Sequence, residues 1–169
     1  NMGAGSQINA NAHGTGRVNF NPTTAGNINI TGGPANGLIS AGDDVTYQGG
    51  TVAVNVGQII GCNESVGAGV TTASITTATG DLNVGPFTSS GNAAFTANGV
   101  GADIITCGDI NSGAGNLTLQ AGTGANANVQ LKNNVTSTGL LTINSGAGAG
   151  STVTLDPAVT VSGGTTALN

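Results

Sequence analysis

The C-terminal part of this chain repeats itself at an interval of about 24 residues, a period that marks stacked structural units. Residues 115–139 read GNLTLQAGTGANANVQLKNNVTSTG, and residues 139–163 read GLLTINSGAGAGSTVTLDPAVTVSG. The apolar pairs are Leu117/Leu141, Leu119/Ile143, Val129/Val153, Leu131/Leu155 and Val135/Val159. The glycines between them match too, at Gly122/Gly146 and Gly124/Gly148. No such unit buries its apolar face alone, so the units must stack.

Each unit carries three short alternating pieces. In the first copy these are Leu117–Leu119, Val129–Leu131 and Asn134–Thr136, separated by Gly- and Asn-rich corners. Alternation puts Leu117 and Leu119 on one face and Thr118 on the other. Three strands and three corners describe one coil of a parallel β-helix, each coil advancing about 4.8 Å. The expected fold is all-β, a parallel β-helix with coils of about 24 residues, in one domain spanning 1–169. The clearest repeats lie in 91–169.

Upstream the pattern weakens. Ala93/Phe95, then Ile105/Cys107, sit one such interval before Leu117/Leu119 and Val129/Leu131. Ile110 precedes Val135 by slightly more, so one corner differs. Leu82/Val84 and Phe87 read as the second and third strands of an earlier coil. Over 17–62 the spacing is irregular and assigns no coils. An antiparallel β-sandwich is the rival fold, because strands spaced by about 8–12 residues with turn signals also suggest it. The recurrence of glycines across the corners favours the β-helix, since hairpins do not require it.

Composition narrows the function. Only 5% of the residues are charged, and the net charge is −5. Arg17 and Lys132 are the two basic residues, too few for a nucleic-acid interface. No apolar run approaches the roughly 20 residues of a membrane helix. The acids are Asp43, Asp44, Glu64, Asp81, Asp103, Asp109 and Asp156. Glycan cleavage needs clustered carboxylates. Asp43 and Asp44 are adjacent, so a strand would send them to opposite faces, while Asp103 and Asp109 could meet across a corner. His13 is the single histidine and has no evident partner. Residues 98–106 resemble one nonapeptide of a calcium β-roll, but such rolls need tandem copies. Outward Thr118, Thr142 and Thr154 do not make an ice-binding array, because Gln130 interrupts it. The expectation is a non-enzymatic protein with no metal and no cofactor.

Three further features bear on assembly. Ile8, Ala10, Ala12, Gly14, Gly16, Val18 and Phe20 alternate with polar residues over one long stretch. Residues 1–20 read as the first strand of the domain, or as a strand donated to a neighbouring subunit. Residues 165–168 begin another copy of the first strand without a capping segment, so the end is open to a neighbour. Cys62 and Cys107 form an even pair in a chain that reads as secreted, which suits a disulfide. By position they lie nearly two coils apart. Two coils in one column are about 9.6 Å apart, beyond the Cα limit of about 7 Å. A bond therefore needs different columns, a short coil or the sandwich; two buried thiols are the alternative. Four Asn-X-Ser/Thr triplets, at Asn29, Asn63, Asn116 and Asn134, read as products of an Asn- and Thr-rich composition.

The segments AGNINITGG (25–33), GNLTLQAG (115–122), GLLTINSG (139–146) and STVTLDPAVTVSGG (151–164) resemble the passenger regions of filamentous-haemagglutinin-type exoproteins and autotransporter adhesins. The resemblance implies a right-handed β-helix on a cell surface and carries no catalytic motif. The expected function is an extracellular structural or adhesive protein, part of a fibre or adhesin stalk. Its partners would be itself, flanking repeats of a longer chain, or host or cell-surface glycans, with no membrane insertion. A pilus-like subunit polymerised by strand donation and a carbohydrate-active β-helix enzyme are the alternatives.

Overall fold

The structure, a computed structural model, describes residues 6–10, 16–21, 26–32, 37–66 and 70–169. Among these residues it is all strand and turn, with no helix. The strands stack as a parallel β-solenoid of about six turns. Every strand pairing among the described residues is parallel, which excludes the sandwich.

The first face is built from β1 (Gln7–Ala10), β2 (Val18–Phe20), β4 (Leu38–Tyr47), β6 (Gln58–Ser65), β8 (Leu82–Val84), β11 (Ile104–Thr106), β14 (Val129–Leu131) and β17 (Val153–Leu155). The second face holds β3 (Ile28–Thr31), β5 (Thr51–Val56), β7 (Thr72–Thr77), β10 (Ala93–Ala97), β13 (Leu117–Gln120), β16 (Leu140–Asn144) and β19 (Thr165–Leu168). The third face is narrow and contains β9 (Phe87–Thr88), β12 (Ile110–Asn111), β15 (Val135–Thr136) and β18 (Val161–Ser162).

Alternation along each strand makes continuous inward columns. On the second face one column runs Ile30, Val54, Ile75, Phe95, Leu119, Ile143. On the third it runs Phe87, Ile110, Val135, Val161. These columns meet in one thin core. Its aromatic contacts are Phe20 stacked on Tyr47, with ring centroids 5.6 Å apart, and Phe87 edge-on to Phe95 at 5.0 Å. Buried Tyr47 donates its hydroxyl proton to Asn63 Oδ1 at 2.9 Å. Asn63 donates in turn to the Asn83 carbonyl. The triplet beginning at Asn63 is thus a core element.

Coil length varies, and this explains why the repeat fades upstream. On the second face Val52 pairs with Ala73, Ala73 with Ala93, and Ala93 with Leu117. The first two of these steps are shorter than the third, so no single offset superimposes them all. Two registers differ from the sequence expectation. Val135 pairs with Val161, not Val159, because the corner at Asp156–Ala158 lengthens the step. Ile104, not Ile105, pairs with Val129. That one-residue slip reverses the face of every side chain in β11. Ile104 and Thr106 point into the core, and Cys107 is exposed.

The corner glycines recur because coils approach closely there. A Cβ at Gly122 would collide with the Gly99 carbonyl oxygen, and one at Gly148 with the Gly124 backbone.

Candidate functional site

The N-terminal residues singled out by their alternation complete the chain's own sheet. β1 lies along Leu38–Ala41 and β2 along Val45–Tyr47, both in parallel with β4. Val18 is buried, and Ile8, Ala10 and Phe20 pack against the core. Ala12, His13 and Gly14 lie outside the described residues.

Asp43 and Asp44 do not diverge as adjacent strand residues would. The pairing of β4 with β6 shifts register between Ser40 and Asp44, and one guanidinium reaches both acids. Arg17 Nη2 lies 3.1 Å from Asp43 Oδ2 and 3.0 Å from Asp44 Oδ2. Arg17 stands one coil below Asp44, an adjacency that sequence distance hides. Glu64, on β6, adds a third acid. Its pKa is raised, first by burial and then by the charge of Asp44, against which Arg17 acts only partly.

The Cys62–Cys107 disulfide joins the third coil to the fifth, with Cα atoms 6.4 Å apart. The two cysteines occupy different columns. Cys62 pairs with Asn83, which pairs with Ile105, and Cys107 lies further along the chain, past the end of β11. Between them sits Gly85, whose carbonyl oxygen lies against both sulfurs. Gly85 has φ of 109°, and a Cβ there would collide with the Gly108 carbonyl. A glycine is required for the backbone and for the close approach.

Asp103 and Asp109 serve different faces rather than sharing a site. Asp103 Oδ1 accepts from the Asn128 backbone N–H at 2.7 Å, and its Oδ2 accepts from Gln130 Nε2 at 2.8 Å. Asp81 Oδ1 accepts from the Asp103 N–H. The stretch resembling a calcium nonapeptide is therefore a corner of the solenoid, its carboxylate bound by the next coil. Among the described residues no group of three or more His, Cys, Asp and Glu side chains could hold a metal ion. No helix there is long and apolar enough to cross a membrane.

The same laddering runs up the outside of the third face. Asp109 Oδ1 accepts from the Asn134 N–H at 2.9 Å, and Asn134 Oδ1 accepts from the Thr160 N–H at 2.8 Å. Along this face runs a groove of about 500 Å³, lined from Pro86 and Thr88 through Asp109 and Asn111 to Asn134, Thr136 and Thr160. Sequence reasoning missed this groove. Its signal was the column of Asp109, Asn134 and Thr160, legible only once the corner lengths were known.

Comparison with protein-family models, with characterised protein sequences and with solved structures returns no match.

Proposed function

We infer that this chain is a non-enzymatic, extracellular structural protein that builds a fibre or stalk at a cell surface by stacking coil on coil. The observation that carries this reading is the continuity of the inward columns, from Ile30 to Ile143 on the second face and from Phe87 to Val161 on the third, each coil covering the one before it. Covering by the next coil is what buries a column: Leu131 lies under Leu155 and Ile143 under Leu168, and both are fully buried. A coil added to such a stack continues its columns and pairs with the strand edges it meets. A second copy of the chain can supply it, and so can flanking repeats of a longer chain. Low charge lets two ends meet with little desolvation penalty.

The disulfide supports an oxidising compartment, because such bonds persist outside the cytosol. The carboxylates of Asp81, Asp103 and Asp109 accept backbone N–H groups from the coil above, a supporting role that favours structure over catalysis. Strand donation loses its main support, since β1 and β2 already pair with β4.

The test is electron microscopy and sedimentation velocity on the purified chain. Filaments or end-to-end oligomers are expected, and Leu155→Glu with Leu168→Glu should return them to monomers. A monodisperse monomer at high concentration, unchanged by these substitutions, overturns stacking between copies.

A further inference from the structure

We propose that the groove on the third face binds a linear, neutral oligosaccharide lying along the solenoid axis. The ladder leaves several polar groups unused. Asn134 spends its carbonyl oxygen on the Thr160 N–H, and Asn111 spends its own on the Gly113 N–H at 2.8 Å. Each bond fixes the side chain and leaves its NH₂ group without a partner among the described residues. Asp109 likewise keeps one carboxylate oxygen free. Polar groups held in place by one bond and unspent on the other side are what a ligand site supplies.

Two ladders on the other faces are spent more fully. On the second face Asn169 donates to Asn144, and Asn144 to Gln120, each at 2.8 Å, so that ladder closes on itself. On the first face both oxygens of Asp103 are taken. On the third face these open donors and acceptors line up along one groove, whose volume falls within the range of small-ligand sites.

The chemistry selects the ligand. The groove offers amide N–H donors, threonine hydroxyls, one carboxylate and the Pro86 ring, and no cation. A sulfated or phosphorylated chain would meet Asp109 with no basic partner. A neutral sugar supplies paired hydroxyls that donate to the carboxylate and accept from the amides. The groups repeat every coil, about 4.8 Å, so an extended β-1,4-linked chain sets about one sugar against each coil.

The experiment is calorimetric titration of the disulfide-bonded chain with cellohexaose, with maltohexaose as a curved control and a heparin-derived hexasaccharide as an anionic one. Saturable binding of cellohexaose is expected, weaker for maltohexaose and absent for the heparin fragment. Asn111→Ala should weaken it about tenfold, the worth of one good hydrogen bond, with the β-sheet circular dichroism signal retained. Thr136→Arg should block it. No binding of cellohexaose, a preference for the heparin fragment, or affinity indifferent to both substitutions overturns the proposal. The site does not depend on stacking: the Leu155→Glu, Leu168→Glu chain should bind cellohexaose equally well, so failure here and failure to assemble are separate results.

Discussion

Two buried threonines show how much a single hydroxyl can decide. Thr106 points into the core and accepts from the Lys132 and Asn133 N–H groups, at 2.7 and 3.0 Å. It satisfies two backbone donors at the corner after β14. Thr77 is equally buried, but its hydroxyl has no partner among the described residues. Valine has nearly the same shape, so substitution isolates the hydroxyl. Thr106→Val should cost about 1–3 kcal/mol, because it strands buried donors. Thr77→Val should stabilise by up to about 1 kcal/mol, because it removes an unpaired polar group. Urea unfolding of the two variants checks both signs. Equal effects would contradict the register placed on β7 and β11.

Glu64 adds a pH dependence at the same scale. Burial and Asp44 raise its folded-state pKa above the ordinary carboxyl value. The folded chain therefore holds this proton more tightly than the unfolded one. The stability it contributes is full below the ordinary carboxyl pKa and is lost as pH rises through the raised value. Glu64→Gln should raise the melting temperature at about pH 7 and leave it unchanged well below the ordinary carboxyl value of about 4.3. A gain of the same size at both pH values would point to packing instead.

At the level of strands, stability comes from columns rather than from any one strand. β14 is three residues long, yet Val129 and Leu131 are fully buried between β11 and β17. Leu131→Ala should cost about 2–5 kcal/mol, as core truncations do. Leu155→Ala, one coil further on at an exposed position of the same column, should cost well under half as much in the monomer. Chemical denaturation of the two variants at low protein concentration distinguishes them. The strands also show where alternation is enough and where it fails. It placed Leu117, Leu119, Leu82 and Val84 on the correct face. It misplaced β11, because both phases of Ile104-Ile105-Thr106-Cys107 offer an apolar residue and only the corner length chooses between them.

For the whole molecule, the disulfide is a staple across non-adjacent coils. It links the third coil to the fifth and so holds the fourth between them. Closing a loop of 45 residues is worth about 4 kcal/mol by the chain-entropy estimate. Cys62→Ser with Cys107→Ser should lower stability by up to that amount while keeping the β-sheet circular dichroism signal. An unchanged unfolding midpoint would mean that the parallel ladders alone set the stability of the middle coils.

The sequence by itself favoured the parallel stack, because apolar pairs and corner glycines recur at one interval, and the parallel pairing of the strands then excluded the sandwich. It also determined what the chain lacks: basic residues for nucleic acid and a long apolar run for a membrane helix. Tertiary structure decided the rest. In a solenoid the nearest neighbours of a residue lie one coil away, and the offset that finds them depends on the backbone path at each corner. Corner lengths make the step short from Ala73 to Ala93 and long from Val135 to Val161. Only when those steps are known do Arg17 and Asp44 become an ion pair, Cys62 and Cys107 come within bonding reach over Gly85, and Asp109, Asn134 and Thr160 line up along one groove.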